Sequence, residues 1–475
     1  MKTLSEIIKE DYEKWKDEEY VYEKIEGKVT YKTFGSFINE TFLIADFLIK
    51  KGFKNQFVII FGDNSSRLME ADLATLLYVG KSVVVSKEWK EDDLAYSIQK
   101  LNSPVILYGK EKEEIIDKLK QRFDIQYICF DELPIEDNNI DVGKLQLIEN
   151  DFEACCKVVF SSGTTGKPKG VMLSQKNILA GYSSLTRRCP FNHTDSTYVF
   201  LPLNHTYGNI YNFIYSLIAG YRVYLSSGTT EISKELLEYN PTIFCMVPKV
   251  AERMLEGYGE NIKIGFGKNI KYIFCGGAAL AKDVRQKYKN AGLNMMQAYA
   301  LSETASSFAI DYPFDDDLES AGTIFEDMDI KVANPDENGI GELICKGDSV
   351  FLGYVNDEET TKKVFDNDGY FHTGDLGIIK NNKLYIKGRK KRMLLTYNGE
   401  NVSPEDVEEK LEKNEFVKKA TVYQKDNKIC ASLYVDDIEK DYNFIIENFN
   451  SSVPKYQRIE EFEVLKNNIE NRLKQ

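Results

Sequence analysis

Residues 161–170 read SSGTTGKPKG: four hydroxyl side chains, three glycines and two lysines in ten positions. Apolar runs flank the stretch, VVF before it and VML after it, so it connects two strand-like segments. Hydroxyls and backbone N–H groups in a glycine-rich turn can encircle phosphate oxygens, and lysines neutralise their charge. The bland alternative is a flexible linker. The strand-like flanks, the lysines and the stiffening Pro168 weigh against it. A Walker loop fails on spacing: two residues, not four, separate Gly163 from Gly166, and Lys167 precedes proline rather than Ser or Thr. GFGKNI (265–270) lacks the third glycine of a dinucleotide fingerprint and follows no clear strand.

Outward from the loop, short apolar runs alternate with longer polar–apolar segments. FVIIF (57–61) reads as a strand, SRLMEADLATLLYVG as an amphipathic helix, SVVV as a strand, EDDLAYSIQKL as a helix and PVILY as a strand. The rhythm returns in TIFCMV, KVAERMLEGY, KYIFCGG and LAKDVRQKYKNAG. This is the βαβ order of a parallel sheet, and strands apolar at every position imply burial on both faces. From about residue 320 glycines become frequent, and GELICKG, GYFHTGDLGIIK and KLYIKG read as antiparallel strands. LLTYNGENV reads as a hairpin turning at Asn-Gly. SPEDVEEKLEK follows as a helix, with Ser403 at the N-cap and Pro404 at the first position. DDD (315–317) reads as a solvated loop.

A chain of 475 residues exceeds one ordinary core, so at least two domains are expected. The net charge of −14 argues against binding to nucleic acid or an anionic membrane. No apolar run reaches bilayer length and the N-terminus has no signal-peptide core, which points to the cytoplasm. Eight cysteines occur without CxxC spacing, several in apolar runs, and read as buried reduced thiols. Three histidines, His193, His205 and His372, make a His-rich metal site improbable.

The decapeptide resembles the signature of the adenylate-forming superfamily of acyl- and aryl-CoA synthetases, peptide-synthetase adenylation domains and luciferases. Further segments resemble that family in its order. They are LPLNHTYGN (201–209), PTIFCMVPKVAERM (241–254), CGGAAL (275–280), QAYALSET (297–304), GELICKG…LGY, GYFHTGDLG and GRKKRMLLTYNGENVSPEDVE. The resemblance covers nearly the whole chain and weakens at its end. It implies an α/β fold. A large N-terminal domain, residues 1–387, would hold two βαβ-type sheet subdomains and a small β-barrel-like region. A small mobile α+β C-terminal domain, residues 388–475, would follow, with a hinge near Lys391.

The implied chemistry is attack of a carboxylate on the α-phosphate of ATP, loss of pyrophosphate, and transfer of the acyl group to a thiol. Ser161, Ser162, Gly163, Thr164, Thr165, Gly166 and Lys167 would cradle phosphates. Thr165 and Glu303 would face the α-phosphate and Mg2+; one carboxylate suits a hard cation that keeps most of its waters. Tyr299 would stack on adenine, with Ser302 in the same motif, and Gly276, Gly277 and Ala278 would form a wall beside adenine and acyl group. Asp375 would bind the ribose hydroxyls, Arg389 ribose or phosphate. Gly399 would let a pantetheine arm pass, from CoA or an acyl carrier protein. His205 would stand at the mouth of the acyl pocket.

Two departures stand out. The family's C-terminal lysine is missing: aligning Ile469 with the motif puts Asn468 at its place, and Lys466 or Lys474 is the available substitute. Ala300 replaces a usual glycine after Tyr299, which would narrow the acyl site. The resemblance therefore implies an ATP-dependent acid–thiol ligase for a fatty acyl or aryl acid. The alternative is a degenerate nucleotide or acyl-adenylate binder; a luciferase-type oxygenase is a third option.

Overall fold

Strands that are apolar at every position need cover on both faces. Phe57–Phe61, Val105–Tyr108 and Ile243–Met246 are such strands, with Ile59, Ile106 and Phe244 wholly buried. The structure, a computed structural model, describes residues 2–135, 147–161, 168–305, 307–390, 394–395, 401–402, 404–425, 428–453 and 457–466. It divides into two compact units, Met1–Asp329 with Lys346–Phe371, and Ile330–Cys345 with His372–Gln475.

The first unit holds two sheets. In spatial order, one runs Gly353–Tyr354, Lys169–Ser174, Cys155–Ser161, Lys81–Val84, Phe57–Phe61, Val105–Tyr108 and Gln126–Cys129. From Cys155–Ser161 onward its strands are parallel. Lys169–Ser174 folds back antiparallel on Cys155–Ser161, so the decapeptide joins a hairpin. The other sheet has a parallel centre, formed in order by Glu19–Ile25, Arg222–Leu225, Ser196–Val199, Ile243–Met246, Tyr272–Cys275 and Met295–Ala300. Antiparallel strands Lys28–Thr33 and Ser307–Ile310 flank it. This is the βαβ architecture expected from the alternating runs.

The segment read as an amphipathic helix departs from that pattern. Ser66–Ala74 is helical, but every residue except Arg67 is buried, including Glu70 and Asp72. Its two carboxylates are tolerated inside because each has a cation: Glu70 meets Lys32 and, at 2.9 Å, Arg67, while Asp72 meets Lys157 at 2.7 Å. The helix continues as a π-turn, Thr75–Val79. Gly80 then passes so close to Gln56 that a Cβ would lie 2.0 Å from its carbonyl oxygen.

The second unit contains the strands Asp329–Ala333, Gly341–Lys346, Phe371–Lys380 and Lys383–Arg389, the last two antiparallel. Leu394–Leu395 pairs antiparallel with Asn401–Val402, and the Asn-Gly turn expected between them lies outside the described residues. Helices Pro404–Glu412 and Tyr442–Ser452 cover a sheet of Lys419–Lys425, Lys428–Val435 and Glu461–Lys466 around Val407, Leu411, Leu433 and Ile446. The boundary expected between residues 387 and 388 falls within the strand Lys383–Arg389. The N-cap expected at Ser403 lies outside the described residues.

None of the eight cysteines forms a disulfide, and six of them are buried. Among the described residues no helix is long and apolar enough to cross a membrane. The DDD run makes its own turn: the Asp317 carboxylate accepts from the backbone N–H groups of Glu319 and Ser320.

Candidate active site

The stem of the decapeptide is fixed on three sides. Ser161 ends one strand and pairs in register with Lys169, which begins the next. Trp89 packs against Phe160, ring centroids 5.3 Å apart, and the Tyr96 hydroxyl donates to the Pro168 carbonyl at 3.3 Å. Gly170 admits Val355: a Cβ there would lie 2.5 Å from the valine methyl. Ser162, Gly163, Thr164, Thr165, Gly166 and Lys167 lie outside the described residues.

Glu303 sits in the 3₁₀ turn Ser302–Thr304. Thr304 Oγ1 locks that turn by accepting from the Leu301 amide at 3.1 Å. The Glu303 carbonyl accepts from Phe351 N at 2.8 Å, and its carboxylate accepts from the Tyr354 hydroxyl at 2.9 Å. Tyr354 lies on Gly353–Tyr354, the strand that pairs with the far arm of the decapeptide's hairpin (Tyr354 with Val171). The Lys169 ammonium stands 4.8 Å over the tyrosine ring. Burial, followed by the Glu303 charge, holds the Tyr354 phenol well above its ordinary pKa, so it remains a donor. The fold thus ties Glu303 to the stem of the decapeptide through one side chain.

The wall expected at 276–278 follows the strand Tyr272–Cys275. Gly276 is buried, and a Cβ on it would lie 3.4 Å from the Ala298 carbonyl and 3.7 Å from the Tyr207 ring. Gly277 has φ +85°, a left-handed conformation that favours glycine. Gln297 Nε2 fixes the Ala278 carbonyl at 3.1 Å. Tyr299, on the neighbouring strand, meets Phe308 edge-on at 4.7 Å. Ala300 is exposed at the strand's end.

His205 belongs to a segment clamped from the other sheet. The Asn64 side chain donates to the Leu201 carbonyl at 2.9 Å and accepts from the Leu203 amide at 3.2 Å. His205 is exposed at the surface, yet neighbouring protein atoms partly desolvate its ring. That desolvation lowers its pKa and keeps it neutral near pH 7. Two residues on, the partly accessible Tyr207 donates to the Phe274 carbonyl at 2.8 Å.

Asp375 and Arg389 meet in the second unit. They are cross-strand partners, and Arg389 Nε lies 2.6 Å from Asp375 Oδ1. Asp375 is 3% exposed, and its amide donates to Thr373 Oγ1 at 3.0 Å. Glu342 braces the neighbouring bend, accepting from the Gly374 amide at 3.2 Å and pairing with Lys390 at 2.8 Å and His372 at 2.9 Å. Burial opposes the Glu342 charge, but those two partners outweigh it and hold its pKa below the ordinary value. Lys466 ends the strand Glu461–Lys466, opposite Val435, and is exposed. Lys391, Gly399, Asn468 and Lys474 lie outside the described residues.

A magnesium ion coordinated mainly by phosphate and water needs few protein ligands. Among the described residues no group of three or more His, Cys, Asp or Glu side chains could hold a metal. The lone Glu303 carboxylate fits that demand, because Tyr354 holds one oxygen in place. Sequence reasoning assigned no role to Tyr354, Tyr207 or Asn64. Tyr354 stood in the quoted LGY segment, but its distance of 51 residues from Glu303 hid the contact.

Comparison with known proteins adds relatives to this geometry. Long-chain-fatty-acid–CoA ligase ACSBG1 of Rattus norvegicus is 30% identical over 313 residues, covering 54% of this chain and 43% of that protein. The chain thus matches about half the length of such curated relatives. 2-Succinylbenzoate–CoA ligase of Enterococcus faecalis is 26% identical over 377 residues, covering 77% of this chain and 74% of its own. Among solved structures, o-succinylbenzoate CoA synthetase (MenE) of Bacillus subtilis in complex with AMP superimposes with a TM-score of 0.84. It is 22% identical and covers 97% of this chain and 94% of its own. The anthranilate CoA ligase AuaEII, in complex with anthranoyl-AMP, gives a TM-score of 0.83 at 18% identity, covering 98% of this chain and 93% of its own. The family model described as AMP-binding enzyme matches residues 8–355. The chain belongs to the AMP-binding enzyme family.

Proposed function

We propose that the chain activates a carboxylic acid with ATP and passes the acyl group to a thiol. A carboxylate oxygen attacks the α-phosphorus, the bond to pyrophosphate breaks, and an acyl-adenylate forms. The sulfur of CoA, or of a carrier protein's phosphopantetheine, then attacks the acyl carbon and AMP leaves. The acid is a fatty acyl or aryl acid, in keeping with the CoA ligases the chain resembles, and the reaction belongs in the cytoplasm.

The observation that carries this reading is the Tyr354 hydroxyl bonded to Glu303 from a strand paired with the decapeptide's hairpin. It supports a role for this carboxylate with the decapeptide, because it links Glu303 to the hairpin strand that leaves that segment. Residues 161–167 would surround the phosphates, and Thr165 and Glu303 would hold Mg2+, which neutralises charge developing on oxygen. Tyr299, Ser302 and residues 276–278 would border adenine and the acyl group, and His205 the acyl side. Asp375 would accept from the ribose hydroxyls, its charge balanced by Arg389. Residues 388–475 would turn about Lys391 between the half-reactions, with Gly399 lining the path of the thiol.

The test is acid-dependent pyrophosphate release with ATP, Mg2+, hydroxylamine and a panel of fatty and aryl acids. Release with one class supports the ligase. ATP binding without release for any acid favours the non-catalytic binder that Asn468 suggests. Given release, Lys466→Ala and Lys474→Ala identify the lysine in use. Parent rates in both variants would retire both assignments.

A further inference from the structure

The strand leading into the phosphate loop carries a lysine where the core would accept an apolar residue. Lys157 is 1% exposed, in a strand whose Cys156, Val158 and Val159 are buried. Its ammonium lies 2.7 and 3.0 Å from the two oxygens of Asp72, which is fully buried. Asp72 also accepts from the buried Ser82 hydroxyl on Lys81–Val84 and, at 2.6 Å, from Asn209 Nδ2. Asn209 lies in the π-helix Tyr207–Ile214 and is fully buried, and its amide donates to the His205 carbonyl at 2.9 Å.

Stability does not account for these charges. Removing two ions from water costs several kcal/mol each, and apolar replacement of a buried pair is often neutral or favourable. What the pair supplies is direction. One carboxylate gathers donors from two adjacent strands of the first sheet, where Ser82 and Lys157 are paired, and from the helix beside the second sheet. Ser161 lies four residues beyond Lys157, and His205 one turn before Asn209.

We propose that Lys157, Asp72 and Asn209 form a positioning network that sets the phosphate-loop strand against the acyl-side helix, aligning the two substrates for adenylation. This rests on the ligase reading above. None of the three touches substrate. Misalignment of two otherwise intact half-sites reduces the rate of the joined complex more than the binding of either partner.

The experiment compares pyrophosphate release by the full chain and two variants, with melting temperature as control. The double variant Asp72→Leu/Lys157→Met removes both charges together. Asn209→Leu cuts one link and leaves the ion pair. The expected result is a melting temperature at or near the parent value, kcat lower by roughly ten- to a hundred-fold in the double variant and less in Asn209→Leu, and KM for ATP and acid within about two-fold. Parent kcat in either folded variant overturns the network, as does a loss confined to KM. Should the double variant fail to fold, Asn209→Leu decides alone. A parent chain that binds ATP but releases no pyrophosphate with any acid overturns the ligase reading, and this inference with it.

Discussion

The Tyr354 hydroxyl donates to the Glu303 carboxylate at 2.9 Å across 51 residues of sequence, and the same ring lies 4.8 Å beneath the Lys169 ammonium. A hydrogen bond to a charged group is worth about 1.5–3 kcal/mol. Tyr354→Phe keeps the ring and its cation contact but frees the carboxylate. Pyrophosphate release should fall about ten-fold or more and need more Mg2+, while the melting temperature falls by only a few degrees. Glu303→Gln should lose about a hundred-fold or more. Magnesium titrations of both variants check this; a parent-like curve for Tyr354→Phe would separate the phenol from the carboxylate's work.

Asp375 is enclosed while Arg389 keeps half of its side chain in solvent. Asp375→Ala should therefore weaken ATP binding by about ten-fold or more, measured by calorimetry. Arg389→Ala should weaken it less, because the carboxylate remains. Equal affinities for parent and Asp375→Ala would contradict the ribose assignment.

Tyr207 stands 3.7 Å from the position a Cβ on Gly276 would take and is tethered to Phe274. Its ring fills the space beside the proposed acyl wall. Tyr207→Ala should shift preference toward bulkier acids, read as kcat/KM across a series of increasing chain length. An unaltered order of preference would remove Tyr207 from the acyl boundary.

Glu70 gives the fold a pH signature. Burial raises its pKa from 4.5 to about 7, despite Lys32 and Arg67 beside it. The folded state therefore holds a proton that the unfolded state has released, and stability falls as pH rises between those values. Asp311, raised to about 6 by burial despite Arg285, adds to the same slope. Urea midpoints should decline from about pH 4.5 to 7, and Glu70→Gln should flatten the decline. A slope unchanged by that substitution would mean Glu70 stays ionised throughout.

Much of the first unit was legible because strands covered on both faces advertise themselves. FVIIF, VILY and IFCM admit no exposed face, and each became a central strand. The helix read from SPEDVEEKLEK formed as Pro404–Glu412, while the Asn-Gly turn and the Ser403 cap lie outside the described residues. Asp72 and Lys157 were not: polar residues in a helix or strand ordinarily mark its solvent face, and only the fold, by bringing them within 2.7 Å, makes them interior. Tyr354 was hidden for the same reason. The pairing of Asp375 with Arg389 follows from strand register, which sequence pattern alone does not fix at that bulged hairpin.

The chain has two tryptophans, and one of them, Trp89, rests on Phe160, the residue before Ser161. The other, Trp15, is stacked on His193 at 4.0 Å. Replacing Trp15 with phenylalanine would leave a single indole emitter one residue from the mouth of the decapeptide. Its fluorescence would then report, in stopped flow and without any attached dye, whether nucleotide arrives at the proposed phosphate site.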